Sequence, residues 1–384
     1  MINNSYGGPG TSQVLMDAMN YAHSLGVVVV VAAGNSGVRA ETFFPASYPN
    51  VITVAASTPA DGHSYYSNFG GKVDVTAPGD DILSLRAAGT SLGSIVGTNY
   101  TRLTGTSMAA PHVSGLAALI LSQQPSLSAE QVRQIIRISA DDLYLPGFDI
   151  YFGWGRINAA AALAVTNPLE AKIQSPMEGQ LVNGPVSFSG VAQGPGFNSY
   201  TLDYGAGESP TSWTLIQQGA VAVNGGVLGT GELSLPDGRH TIRLRVFDNL
   251  GRVFSDRMTV VSQYSQITSP ATPPKPNASQ AFKPGSLVTL SGTVRGPSFA
   301  DYRVEWARGL NPAGGWSASG ITLVNGGSSP VISGPFATFD TTSLNQADYY
   351  TVRLLVDNAG FTNEVLTTVY SNPRWCRQTG RSCS

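Results

Sequence analysis

Residues 27–33 read VVVVVAA, an apolar run without a single polar position. A strand with one wet face alternates apolar and polar residues, so this run fits a strand covered on both faces. Such a strand needs a layer above it and a layer below it. VITVAAS (51–57) is a second run of this kind, and VDVTAPG (73–79) reads as a third. Ahead of the first lies VLMDAMNYAHSLG, where Val14, Leu15, Ala18, Met19, Ala22 and Leu25 fall at helical spacing and Gly26 is a natural stop. A helix followed by buried parallel strands predicts an α/β layer structure.

SMAAPHVSGLAALILS (107–122) is apolar nearly all round, which predicts a central helix buried on every side. Pro111 has no backbone N–H and is tolerated only near a helix start, which puts Ser107 at or just before the N-terminus. There, free N–H groups and the positive end of the helix dipole point at whatever docks. SAEQVRQIIRIS gives a further helix with Ser128 and Gln131 in capping-box positions, and GWGRINAAAALAV gives another. Taken alone, Ser107 reads as a helix cap and Asn35, in GNSG, as a turn asparagine.

The remaining chain repeats itself. VSFSGVAQGPGFNSYTLDY (186–204) recurs as VTLSGTVRGPSFADYRVEW (288–306), and TIRLRVFDNLG (241–251) recurs as TVRLLVDNAG (351–360). Apolar Ile242, Leu244 and Val246 alternate with Arg243 and Arg245, a period of two that predicts antiparallel β-sandwiches. The expected domains are 1–167, 168–265 and 266–372, with a tail at 373–384. Trp213, Trp306 and Trp316 are expected as core plugs rather than as a ligand-binding face. PATPPKPNASQ (270–280) reads as a stiff spacer or an extended loop. Cys376 and Cys383 lie close enough for a small disulfide loop, which suits an extracellular setting.

The longest segments of residues 1–165 resemble one family. GTSMAAPHVSGLAALI (105–120) is similar to the nucleophile motif of subtilisin-like serine proteases, the subtilases. VVVAAGNSG (29–37) resembles their oxyanion-hole segment, and INNSYGG (2–8) resembles their substrate-binding strand. The resemblance implies a truncated subtilase α/β domain followed by two all-β sandwich modules of immunoglobulin or fibronectin type. It implies Ser107 as nucleophile, with its N–H and the Asn35 amide holding the oxyanion. It implies Ser5, Tyr6 and Gly7 pairing with substrate backbone, and Ala32, Ala33 and Gly34 walling the pocket for the side chain before the cleaved bond. Phe43 falls at the floor of that pocket. No metal and no cofactor is assigned.

The triad chemistry of this family also needs His and Asp. The Asp-Thr/Ser-Gly and His-Gly-Thr-His motifs that would supply them occur nowhere in these 384 residues. His112, five positions after Ser107, falls some 140° round the helix from it at about 100° per residue. His23, His63 and His240 sit in other segments. A serine without a base is a poor nucleophile. The expectation is therefore the C-terminal part of a secreted serine endopeptidase, inactive alone and acting on proteins or peptides when complete. The competing expectation is a non-catalytic secreted binding protein on a degenerate protease scaffold. A net charge of −2 gives no case for nucleic acid, and LGVVVVVAAG, the longest apolar stretch, is too short to span a membrane.

Overall fold

A computed structural model describes residues 1–270, 285–344, 346, 348–358 and 360–371. Most of the proposed spacer and both cysteines lie outside the described residues. The apolar runs form a parallel sheet in the order β1–β3–β5–β6, built from β1 (Ile2–Asn4), β3 (Val29–Ala32), β5 (Ile52–Ser57) and β6 (Val75–Pro78). Ile2 pairs with Val29, Val30 with Ile52 and Val54 with Val75. Between these strands lie β2 (Gly8–Pro9) and β4 (Phe43–Phe44), which pair with each other. An antiparallel arm follows, of β7 (Ile82–Leu85), β8 (Ser94–Val96) and β9 (Tyr100–Leu103).

Both faces of the sheet are covered, as the unbroken apolar runs require. On one face Val30, Val54 and Val75 pack with Ala110, Val113 and Ala117 of α2 (Thr106–Gln123) and with Val132 and Ile136 of α3 (Ala129–Ile138). On the other, Val29, Val31 and Ala55 pack with Met19 of α1 (Gln13–Ser24) and with Tyr48. Ser128 and Gln131 form the capping box in full, with hydrogen bonds of 3.1 and 3.0 Å. The expected last helix is short: α4 covers only Ala159–Ala164.

The expectation for α2 is corrected. Only part of its circumference is buried; Pro111, His112, Gly115, Ala118 and Leu119 form an exposed stripe. Apolar composition all round describes what a helix can bury. Neighbours decide what it does bury, and none of the described elements covers this stripe. Strand β1 is likewise an edge strand.

The chain packs as two compact units: Met1–Gln180 with Val186–Gly231 and Arg239–Val260, and Leu181–Pro185 with Glu232–Gly238 and Val261–Ser384. The expected boundary near residue 168 thus falls inside the first unit. Buried charges cross it. Asp74, buried directly before β6, accepts from Arg133 Nε at 2.7 Å and Arg137 Nε at 2.8 Å through Oδ1, and from Thr53 N at 2.7 Å through Oδ2. Arg137 also reaches Asp256 at 3.1 Å and the Ser255 carbonyl at 2.8 Å. Gln134 adds a 2.9 Å bond to the Ala171 carbonyl. The polar face of α3 is therefore docked on the first strand-rich region.

The repeat is legible in the ladders. In the first unit Glu170–Ser175, Val186–Gln193 and Val223–Gly231 form one antiparallel sheet; Phe197–Ala206 joins Thr214–Gly219 and Gly238–Asp248 in another. The second unit repeats this with Leu287–Val294, Phe299–Arg308 and Asp348–Asn358. Register breaks recur at matching sites: Ile173/Ser175 and Ile267/Ser269, Phe188/Ser189 and Leu290/Ser291. Trp306 packs partly against a core. Trp213 and Trp316 are half-buried, and each stacks on an arginine, Arg243 at 3.8 Å and Arg353 at 4.0 Å. Those arginines pair with Asp203 and Glu305, residues at matching positions of the repeat.

Replacing Asp74 by alanine removes the carboxylate that two buried guanidiniums share, and denaturant unfolding should show a loss of about 3–5 kcal/mol. Acid should act in the same direction. Burial pushes the Asp74 carboxyl up, but Arg133, Arg137 and the Thr53 N–H outweigh it and hold the group below its ordinary 3.8. Its contribution is present above that value and is lost as pH falls through the depressed one. His23, half-buried and facing Lys172 and Arg133, is lowered from 6.5 to about 4, mainly by burial. The fold favours its neutral form, so that contribution is full above pH 6.5 and fades as pH falls toward 4. The Tm should decline over this window, and His23→Gln should flatten the decline.

Candidate active site

Ser107 occupies the second position of α2, and the residue before the helix explains how it gets there. Gly105 has φ +153° and ψ 161°, a region essentially closed to residues with a Cβ. It provides no side-chain cap. The cap comes instead from Asn35, at the end of β3: its Oδ1 accepts from Thr106 N at 2.8 Å and from Thr106 Oγ1 at 2.7 Å. Thr106 Oγ1 in turn accepts from Gly34 N at 3.2 Å. Strand end and helix start are thereby tied to each other.

This tie fixes which way the Asn35 carboxamide faces. Its oxygen must point at two donors, so its NH2 group points away from them. Asn35 is exposed, and its Nδ2 has no partner among the described residues. The Ser107 N–H is one of the first-turn donors that a helix leaves unpaired. The Asn35 NH2 group and the Ser107 N–H are thus both without a partner among the described residues.

Ser107 and Ser5 are bonded reciprocally. Ser107 Oγ donates to the Ser5 carbonyl at 3.1 Å, and Ser5 Oγ donates to the Ser107 carbonyl at 3.0 Å. Pro111 explains the second bond. It stands four residues after Ser107 and has no N–H to give the Ser107 carbonyl, which leaves that carbonyl for Ser5. Asn3 supports Ser5 by a 2.9 Å bond and accepts from Ser114 of α2 at 2.9 Å. Tyr6 and Gly7 are exposed beyond it.

Ala32, Ala33 and Gly34 are buried behind Asn35. Phe43 lies between them and the 5–7 segment. A Cβ at Gly7 would stand 3.0 Å from the Phe43 ring, and one at Gly34 would stand 2.7 Å from it. Both glycines leave room for that ring.

No histidine reaches Ser107 among the described residues. His112 faces solvent, with Nδ1 2.9 Å from the Met108 carbonyl of its own helix. His63 packs edge-on against Tyr151 and Phe152, and burial lowers its pKa. His23 lines a small cleft with Asn50, Arg133 and Lys172. His240 is buried in a strand of the β-rich region. Among the described residues no group of three or more His, Cys, Asp or Glu is placed to hold a metal ion.

Residues that sequence reasoning passed over complete the surroundings. Thr106 ties Gly34 to Asn35. Tyr66 hydrogen-bonds Asp80 and, at 3.3 Å, the Gly79 carbonyl, and Gly79 receives Gly105 N at 2.9 Å. Burial and Asp80 raise the Tyr66 pKa, so the phenol stays protonated as a donor. Asn68 brackets the loop that carries Asn35.

Residues 1–155 match the family model described as "Subtilase family". Subtilisin DY of Bacillus licheniformis is 42% identical over 165 residues, a match covering 42% of this chain and 56% of the relative. The "Extracellular protease" of Xanthomonas campestris pv. campestris is 40% identical over 212 residues, covering 54% of this chain and 36% of the relative. The crystal structure of a lanthipeptide protease aligns with TM-score 0.39 and 29% identity, covering 42% of this chain and 60% of that one. Residues 1–155 are thus homologous to subtilisin-family serine proteases, and the chain spans about half or less of the length of these curated relatives.

The cap and the free amide of Asn35 can be separated. Asn35→Ala removes the oxygen that caps Thr106 and should cost about 0.5–2 kcal/mol in denaturant unfolding. Asn35→Asp keeps that oxygen and should retain most of this stability while losing the outward-facing NH2 group.

Proposed function

We propose that residues 1–167 carry the nucleophile and oxyanion half of a serine endopeptidase, with the general base supplied by residues outside these 384. The observation that supports the reading is the Asn35–Thr106–Ser107 arrangement, in which the Asn35 oxygen caps the helix that starts beside Ser107 and leaves the other end of its amide free. In that reaction Ser107 Oγ gives its proton to the added base and attacks a substrate carbonyl; the C–N bond breaks, the amine leaves with that proton, and an acyl-enzyme remains. The developing oxyanion is met by the Ser107 N–H and Asn35 Nδ2. Water then releases the acyl group. Ser5, Tyr6 and Gly7 take the substrate backbone as an added strand. Ala32, Ala33 and Gly34 wall the side-chain pocket.

Within the chain the Ser107 proton is held by the Ser5 carbonyl, which cannot take it. An added His–Asp pair would have to draw the hydroxyl off that carbonyl. The free edge of β1 and the bare stripe of α2 offer such a segment a place beside Ser107. The Phe43 ring, close to both Gly7 and Gly34, leaves a shallow pocket suited to small side chains. The strand-rich regions act as β-sandwich modules of immunoglobulin type, for surface or substrate binding outside the cell. The Xanthomonas relative, named as extracellular, supports secretion. Among the described residues no helix is long and apolar enough to cross a membrane.

The test is peptide hydrolysis by the 384-residue chain alone and after joining it to a segment carrying the Asp and His motifs. The chain alone should be inert and the joined enzyme active, with Ser107→Ala abolishing turnover. Asn35→Ala should lower kcat by roughly 10²–10³, a range known for such a donor in a subtilisin itself. Phe43→Ala should raise kcat/KM for large apolar side chains relative to alanine. A joined, folded enzyme that hydrolyses nothing would favour the binding-protein reading instead.

A further inference from the structure

Asn35 works only if its loop is held still, and that loop is intrinsically permissive. Residues 33–38 include Gly34 at φ +105° and Gly37 at φ +62°, and residues 35–38 are exposed. Two glycines in left-handed conformations give such a stretch many alternatives. Its end must nevertheless place one carboxamide against Thr106.

Asn68 is fully buried, with a relative exposure of 0%. Its side chain spends its bonds on this one loop. Nδ2 donates to the Ala33 carbonyl at 2.9 Å. Oδ1 accepts from Ser36 N at 3.0 Å and from Val38 N at 3.1 Å. Its own backbone N–H donates to the Gly34 carbonyl at 2.9 Å. These four bonds fall on both sides of Asn35 and none falls on Asn35 itself. Asn68 is held from behind by Ser67, whose Oγ accepts from Ala56 N of β5 at 3.1 Å and donates to the Asn68 carbonyl at 3.1 Å.

We infer that Asn68 is a positioning residue for catalysis: it locks the 33–38 loop to β5 and so fixes where the Asn35 amide stands relative to Ser107. The inference rests on the reading of Asn35 as oxyanion donor. Only an amide side chain fits this role. The site demands one donor and a double acceptor a fixed distance apart. Alanine and serine cannot span it. An aspartate accepts from both N–H groups but turns a carboxylate oxygen, rather than a donor, on the Ala33 carbonyl. A Cβ at Gly34 would stand 2.3 Å from Asn68 Nδ2, so the glycine is what lets the bracket come this close.

The experiment has two arms. In the 384-residue chain, amide hydrogen exchange is followed residue by residue in wild type, Asn68→Ala and the milder Asn68→Ser. Exchange at Ser36 and Val38 should speed up about tenfold or more in both variants, the effect of losing one hydrogen bond, while β5 amides stay protected. In the enzyme joined to its Asp and His motifs, kcat and KM are measured for Asn68→Ala, Asn35→Ala and the double variant. Asn68→Ala should lower kcat about tenfold or more with KM within about twofold. The double variant should be no slower than Asn35→Ala alone, because both changes remove the same donor. Unchanged exchange at Ser36 and Val38, or losses that multiply in the double variant, would overturn the inference. A normal kcat in Asn35→Ala would instead overturn the reading of Asn35, and exchange at Ser36 and Val38 would still decide whether Asn68 holds the loop.

Discussion

The candidate site depends on one acceptor: Asn35 Oδ1, shared by the N–H and the hydroxyl of Thr106. It joins the end of a buried strand to the start of the helix that carries Ser107. A helix beginning at glycine has no cap of its own, so the cap is borrowed across the sheet. Because an amide has two ends, the end that caps determines the direction of the end that is free. The hydrogen bond to Thr106 thereby sets the direction of the free NH2 group. Asn68 behind the loop and Pro111 four residues into the helix serve the same geometry from opposite sides, one by adding bonds and one by withholding a donor.

The second constraint is electrostatic. Asp74 is buried directly before β6, and it is neutralised by two arginines one turn apart on α3. Arg137 carries the network on to Asp256 in the strand-rich region. A buried pair broken on one side costs far more than it contributes when whole. This is why residues on both sides of position 168 pack as one unit although their local patterns change from helical and parallel to alternating and antiparallel.

Much of this was legible in sequence, and the exceptions have physical causes. Unbroken apolar runs could only be strands covered twice, and the capping box announced α3. The two-residue alternation located the repeated strands. Ser107 and Asn35 were visible through their motifs. The exposed stripe of α2 was not, because hydropathy reports what a residue prefers and not what neighbours exist. Trp213 and Trp316 look like core residues by type, yet each covers an arginine whose partner is a carboxylate one strand away. Asn68 has no periodic signal: a lone asparagine in a polar loop looks the same whether it makes four long-range bonds or none. Asp74 in VDVTAPG, paired with Arg133 and Arg137 at one-turn spacing, did carry a readable signal.

The central proposal is that Ser107 acts as a nucleophile but finds no group among the described residues to take its proton. Labelling with a fluorophosphonate probe tests it directly, since the probe reacts with an activated serine. The 384-residue chain, folded and at neutral pH, should remain unlabelled at Ser107 by peptide mass mapping. The chain joined to the Asp and His motifs should be labelled there. Stoichiometric labelling of Ser107 in the chain alone would contradict the account, because it would mean that a base within these residues reaches the hydroxyl.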